Sequence, residues 1–369
     1  MPAEVYFSRI RARKPKENKV NRIRRLFERA GFSALIEEGD LTAVKLHFGE
    51  MGNDTFLNPV YVRRVVDSIR AAGGNPFLTD TATLYSGSRK NAVDHLKTAF
   101  RHGFAYSVVG APVIIADGLK SGSIKTVDIN QKWFATVSIA ADIAEASGMI
   151  VLSHVKGHEL AGFGGAIKNL AMGCAPARGK KDQHSLRPVV DQDKCKGCGL
   201  CRKVCPVGAP VEAGEKTFIN PEVCIGCGEC LTVCADKSIT FDWATDITEF
   251  MERMTEYALG AVMGKQDKTG YLNFLLNITP DCDCIPWSDA PIVPDIGILA
   301  SRDPVAIDQA AYDLITQAPG IPHTKLSGDL SPGADKFKGC WDYTKGTIQM
   351  TYGEQIGLGT REYTLVEVK

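Results

Sequence analysis

The chain has 369 residues, with 43 lysines and arginines against 43 aspartates and glutamates, a formal net charge of zero. That balance leaves no basic excess for nucleic acid and no polybasic run for a membrane surface, and 44% apolar content is ordinary for a globular protein. The opening stretch MPAEVYFSRIRARKPKENK carries no apolar signal core and no window approaches a membrane span, so a cytoplasmic location is expected.

In chain order, Asn18–Ala30 reads as an amphipathic basic helix with Val20, Ile23, Leu26 and Phe27 on one stripe. Leu41–Phe48 reads as a buried strand, Pro59–Ala72 as a helix stopped by Gly73 and Gly74, and Asn75–Asp80 as a further strand. A helix around Asn91–His102 follows, then strands at Val113–Ala116, Phe134–Ile139 and Met149–His154. Beyond residue 240 the pattern gives a helix near Thr248–Met263, strands at Tyr271–Ile278 and Asp295–Ala300, and a helix over Pro304–Ile315. This alternation predicts an α/β fold, a mostly parallel sheet with flanking helices. Its first part is residues 1–187 and its second part 241–369, with 188–240 as an insertion.

The insertion carries eight of the twelve cysteines. They form two runs, Cys195-x2-Cys198-x2-Cys201-x3-Cys205 and Cys224-x2-Cys227-x2-Cys230-x3-Cys234. In such a run three thiolates hold one [4Fe–4S] cluster and the fourth reaches the other cluster. Cluster one would take Cys195, Cys198, Cys201 and Cys234, and cluster two Cys224, Cys227, Cys230 and Cys205. Gly197, Gly199, Gly226 and Gly228 recur where a loop must turn its N–H groups toward sulfur. Paired zinc knuckles would use the same C-x2-C spacing, but a doubled order with no histidine favours iron–sulfur. Ala235 stands where a proline would match Pro206. Residues 188–240 resemble the bacterial two-cluster ferredoxin, which implies a small α+β unit. So many thiols suit a reducing compartment and not a disulfide framework.

A second site is expected beyond the carboxyl ends of the strands, where open α/β sheets bind ligands. Lys45, His47 and Glu50 follow one strand, Asp80 and Thr81 the next, and Ser153, His154, Lys156 and His158 a third. Gly162, Gly164 and Gly165 then lead into a helix bearing Lys168 and Asn169. Free N–H groups at such a turn suit an anion or phosphate, whereas tight packing would explain the glycines and leave Lys168 unexplained. Asp281-Cys282-Asp283-Cys284 offers alternating carboxylates and thiols, suited to a transition metal or a redox pair; the alternative is that the two cysteines are simply small buried residues, which the flanking acids make costly. Asp303 reads as a helix cap before Pro304, and Asp308 as a solvated helix residue.

The run HVKGHELAGFGGAIKNLAMGCAPARGK, the cysteine insertion, DCDC and VPDIGILASRDPVAIDQA together resemble the DUF362 iron–sulfur proteins over essentially the whole chain. The resemblance implies a cytoplasmic α/β protein with two [4Fe–4S] clusters. More distantly, His158 and Lys168 around the G-x-G-G turn are similar to a motif of the nickel-pincer lactate racemases. That similarity implies a cofactor-anchoring role for Lys168 and an acid–base role for His158.

The reading that unites these features is an iron–sulfur oxidoreductase. Its clusters would exchange single electrons with a ligand or second cofactor in the cleft. His154, Lys156, His158 and Lys168 would bind or protonate the ligand. His47, Asp80, Gly162, Gly164, Gly165 and Asn169 would hold a cofactor, and Cys282 and Cys284 would bind metal or exchange electrons. A further metal or a flavin is a candidate for the cleft. Expected partners are a small redox protein such as a ferredoxin and a small-molecule substrate, with no nucleic acid and no membrane. A non-catalytic electron-transfer adaptor and a metallocofactor maturation protein are the alternatives.

Overall fold

The structure, a computed structural model, describes residues 2–85, 87–184, 188–224, 230, 233–236, 238–241 and 247–369. The strands in chain order begin with β1 (Ala3–Arg9), β2 (Leu41–Lys45), β3 (Asn75–Asp80) and β4 (Val113–Ile115). Next come β5 (Ile124–Asp128), β6 (Thr136–Ala140), β7 (Gly148–His154), β8 (Lys156–His158) and β9 (Gly162–Gly164). The cysteine segment holds β10 (Pro188–Val190), β11 (Pro210–Ala213), β12 (Lys216–Ile219) and β13 (Ile239–Phe241). Last are β14 (Thr269–Leu275), β15 (Gly297–Ser301) and β16 (Tyr363–Glu367).

Eight strands form one sheet in the order β16-β1-β15-β14-β7-β2-β3-β4. Every pairing is parallel except those that β15 makes with β1 and β14. The fold is therefore α/β with a mostly parallel sheet. At its centre β7 from before the cysteine segment pairs with β14 from after it, Leu152 opposite Leu272. Both strands are buried along their whole length, as expected where helices cover both faces. Alternation divides them between two cores. Met149, Val151, Tyr271 and Leu275 face one, and Ile150, Leu152, Leu272 and Phe274 the other. Each such side chain contributes about 1.5–3 kcal/mol by leaving water.

The helices follow their start signals. Asn18 accepts from the Asn21 N–H ahead of Lys19–Arg29, and Asn58 caps Pro59–Ala71. Asp303 accepts from Val305 and Ala306 at 2.9 Å at the head of Pro304–Gln317. The structure differs from the sequence pattern in a few places. The terminal strands β1 and β16 had no expected counterpart, and β15 runs antiparallel. The strand expected at Phe134–Ile139 is β6, which pairs with β5 in a separate hairpin. Asp308 is not solvated but fully buried. Among the described residues no helix is long and apolar enough to cross a membrane.

Candidate functional site

The carboxyl ends of β2, β3, β7 and β14 share one edge of the sheet because these strands are parallel neighbours. A cavity of about 550 Å³ opens there, within the range of cofactor and small-ligand sites. His47, Asp80, His158, Lys168, Cys282 and Cys284 all line it. The sequence also pointed to His154, Lys156 and Asn169, which the structure places outside that lining, in the layer that supports it.

The support is a buried ion cluster. Asp283 lies 2.9 Å from His154 Nδ1 and 3.1 Å from Lys156 Nζ, all three buried. The other ring nitrogen of His154 faces the carbonyls of Leu276 and Asn277 at 2.9 Å, so both nitrogens meet acceptors. Burial opposes the Asp283 carboxylate, but His154 and Lys156 outweigh it and hold its pKa well below the ordinary value. Burial likewise opposes the Lys156 ammonium, and Asp283 together with Cys282 raises its pKa all the same. Asn169 ties the layers together: its carbonyl accepts from Lys45 Nζ at 2.7 Å, and its amide donates to Leu152 O and Ser153 Oγ at 3.0 Å.

The glycine turn has a packing explanation. Asp308 reaches across from the Pro304 helix and accepts from the Ala166 and Ile167 N–H groups at 2.7 and 2.9 Å, at the head of the helix Ala166–Cys174. A Cβ on Gly165 would overlap that carboxylate, and Gly162 (φ +72°) lies against the backbone of Gly346. The anion cradle expected from Gly162, Gly164 and Gly165 is thus occupied by the protein's own carboxylate. Burial, opposed by those hydrogen bonds, raises Asp308 to about 6.

On the cavity wall Lys168 Nζ lies 3.7 Å from Cys282 Sγ. A ring nitrogen of His158 and the sulfurs of Cys282 and Cys284 lie within 4.8 Å of one another. Three such donors suggest a metal site, but His158 Nδ1 already accepts the Leu160 and Ala161 N–H groups at 3.1 Å. That arrangement keeps the ring proton on Nε2, the reverse of a metal-ligating histidine, which donates its second nitrogen to an acceptor. Burial, Lys168, His184 and Lys156 together push His158 well below its ordinary value, so the ring is neutral. Cys282 is held well below the usual thiol value, first by a hydrogen bond from Cys284 and against burial, with help from Lys168 and Lys156. Cys284, which gives that hydrogen bond, is raised.

At the other wall, burial works against the Asp80 carboxylate but Lys45 at 3.1 Å keeps it ionised, with His47, His95 and Arg89 adding to the effect. Arg89 bonds Glu50 at 3.0 Å, meets His47 Nε2 at 3.0 Å and donates to the Tyr85 hydroxyl. Burial, then Arg89, lowers His47 well below its ordinary value.

Several lining residues were missed from sequence: Tyr85, Arg89, Glu159, Lys180, His184, Trp341 and Tyr343. Tyr85 and Arg89 lie on the loop that leaves β3, so extending the strand-end reasoning by ten residues would have reached them. Glu159 keeps 37% of its side chain accessible, yet burial by the surrounding wall, with Cys282, raises it to about 7. Burial lowers Lys180 to about 8.

The cysteine segment abuts the same cavity. Cys195, Cys198, Cys201 and Cys234 line one small cleft, and Cys234, Ile239 and Thr240 also line the large one. Burial raises the Cys195 thiol, but N–H groups of Gly197 and Thr217 outweigh it and lower its pKa. Gly197 (φ +64°) leaves no room for a side chain, since a Cβ would overlap the Glu215 carbonyl. Cys205, Cys224 and Cys230 share the segment's small core with Cys201 and Cys234. Cys227, Gly226 and Gly228 lie outside the described residues.

The family described as "Domain of unknown function (DUF362)" matches residues 42–313, more than half of the chain. Curated proteins give no match. Among solved structures, the lactate racemase apoprotein from Thermoanaerobacterium thermosaccharolyticum is similar at 12% identity and a TM-score of 0.36. The match covers 69% of this chain and 49% of that one, so the chain spans about half the length of that protein. The resemblance is too distant to assign a role to any residue.

Proposed function

The chain belongs to the DUF362 family, a domain of unknown function, and on that premise we propose that it is an iron–sulfur oxidoreductase. In this reading residues 188–240 are a ferredoxin-type insertion holding two [4Fe–4S] clusters, and the cavity holds the ligand that gives or takes electrons. The observation that carries it is the position of Cys234, which lines both the four-cysteine cleft and the large cavity. The donor set fits a cluster: four sulfurs around one cleft, with N–H groups aimed at Cys195. Such clusters supply single electrons.

The chain's own residues do the rest. Lys168 and Lys180 bring positive charge to the cavity and favour an anionic ligand, and Tyr85, Phe250, Trp341 and Tyr343 offer flat surfaces to its apolar part. Glu159, raised to about 7, holds or releases a proton near neutral pH. A flavin is a candidate second redox group for the cavity, since it couples two-electron chemistry to single electrons. Leu200, Val207, Val211, Phe218 and Val223 are exposed on the cysteine segment, a surface suited to weak contact with a redox partner such as a small ferredoxin. A reducing cytoplasm is where these thiols would persist.

The test is iron, acid-labile sulfide and low-temperature EPR on full-length protein purified without oxygen. About eight iron per chain with a reduced-cluster signal is the expected result. Folded protein with zinc in place of iron would overturn the reading. A released organic chromophore would identify the second redox group of the cavity.

A further inference from the structure

We propose that Cys282 and Cys284 are a redox-active dithiol, cycling with an intramolecular disulfide and exchanging electrons with the cysteine segment across the shared cavity. This deepens the iron–sulfur reading and rests on it for the electron source.

The first support is how the pair is built. Residues 282–285 make a tight turn, closed by the Ile285 N–H on the Cys282 carbonyl at 3.2 Å. Asp283, between the two cysteines, is pinned from below by His154, Lys156 and the Thr55 hydroxyl, the last at 3.2 Å. Its backbone carbonyl accepts from Glu50 N–H at 2.8 Å, and Tyr85 donates to the Cys284 carbonyl at 3.0 Å. With the middle residue anchored away from the cavity, both flanking sulfurs line it. A chain that needed only two small buried side chains here would have no use for a buried Asp283–Lys156 ion pair braced by His154, which is costly unless every partner is satisfied.

The second support is what surrounds the sulfurs. Lys168 is 3.7 Å from Cys282 Sγ, the position of a cation that stabilises a thiolate. Two ammonium groups, Lys156 and Lys168, close to the sulfurs repel a divalent metal ion, and the Leu160 and Ala161 N–H groups occupy His158 Nδ1. The same features that weaken a metal site suit a thiol pair.

The electron count also closes. Starting from the Cys282 thiolate and the Cys284 thiol, oxidation forms one S–S bond and releases one proton from Cys284, for which Glu159, which also lines the cavity, is an acceptor. It also releases two electrons, which two one-electron clusters in the cysteine segment would take up one each. Reduction reverses each step. A two-cluster insertion is therefore matched to a two-electron couple, and Cys234 lies on the wall of the cavity that the pair faces.

The experiment equilibrates the full-length protein, without oxygen, in a series of dithiothreitol redox buffers, then quenches with acid and alkylates. Mass spectrometry of the peptide containing residues 282–284 reads the result, and iron is assayed on the same samples. The expected outcome is a reversible interconversion between a doubly alkylated peptide and one lacking two hydrogens. Its slope should be that of a two-electron couple, a tenfold change in ratio for about 30 mV. Cys284→Ser should leave Cys282 alkylated at every potential, and the wild-type titration decides alone if that variant does not fold. Two alkylated thiols at all potentials would overturn the proposal. So would a stoichiometric metal that blocks alkylation until it is chelated. Absence of iron sinks the iron–sulfur reading and absence of a titration sinks the dithiol, so the two failures are separately visible.

Discussion

Replacing Asp283 with alanine removes the common partner of two buried side chains, His154 and Lys156. The His154 and Asp283 side chains are 2% and 1% exposed, and that of Lys156 is 9% exposed, so little water can replace the lost carboxylate. Breaking a buried pair from one side costs about 3–5 kcal/mol, because the surviving charge is left desolvated. Asp281 provides the contrast two residues away. Its pair with Lys325 is 3.2 Å long, but the side chains keep 13% and 30% of their surface, and such pairs contribute about 1 kcal/mol or less. Urea unfolding of Asp283→Ala and Asp281→Ala under anaerobic conditions should therefore separate the two variants by at least about 2 kcal/mol. The pH dependence has a definite sign. Asp283 lies well below the ordinary 3.8, so its contribution is complete above that pH and is lost as pH falls through the folded-state value. The variant should lack that part of the acid loss. Equal destabilisation by both substitutions, or an unchanged acid limb, would refute the buried anchor beneath the cysteine turn.

Four further outcomes are expected. Lys168→Ala should slow alkylation of Cys282 at neutral pH, since the nearest cation is gone; an unchanged rate would mean the 3.7 Å contact does not act on the sulfur. Gly197→Ala forces a side chain into a left-handed position costing about 1–2 kcal/mol, with a carbonyl in the way, and should lower the iron content per chain; full loading would count against the loop's role. Inorganic phosphate should raise the thermal midpoint of Asp308→Ala more than that of the wild type, because in the wild type Asp308 already occupies the Ala166 and Ile167 N–H groups; an equal rise in both would mean that the carboxylate is not what fills the turn. Infrared difference spectra should show a protonated carboxyl that disappears as pH rises through about 7 and is missing in Glu159→Gln; no change in that band would remove Glu159 as a proton carrier.

Local chemistry made much of the architecture legible. Helix starts at Asn18, Asn58 and Asp303 follow from side chains that satisfy free N–H groups within three residues. Buried strands such as Met149–His154 follow from apolar runs too short for helices. The edge strand β16 was not legible, because its value lies in pairing with β1, over 350 residues away, and its own residues are half exposed. The reversed direction of β15 is likewise a property of its neighbours.

The candidate site divides the same way. Sequence alone determined which groups were available: eight cysteines in doubled register, a Cys-x-Cys turn, and histidines and lysines after strand ends. Those choices are recorded in spacing, which survives without coordinates. Only the tertiary structure decided which of them act together. It sent His154 and Lys156 beneath Asp283, filled the glycine turn with the Asp308 carboxylate, and set Cys234 on the wall of the cavity that Cys282 and Cys284 also face. The reason is that burial and charge compensation are properties of neighbours in space. Residues 142 positions apart, such as Ala166 and Asp308, have no signal in sequence that one will answer the other's N–H group.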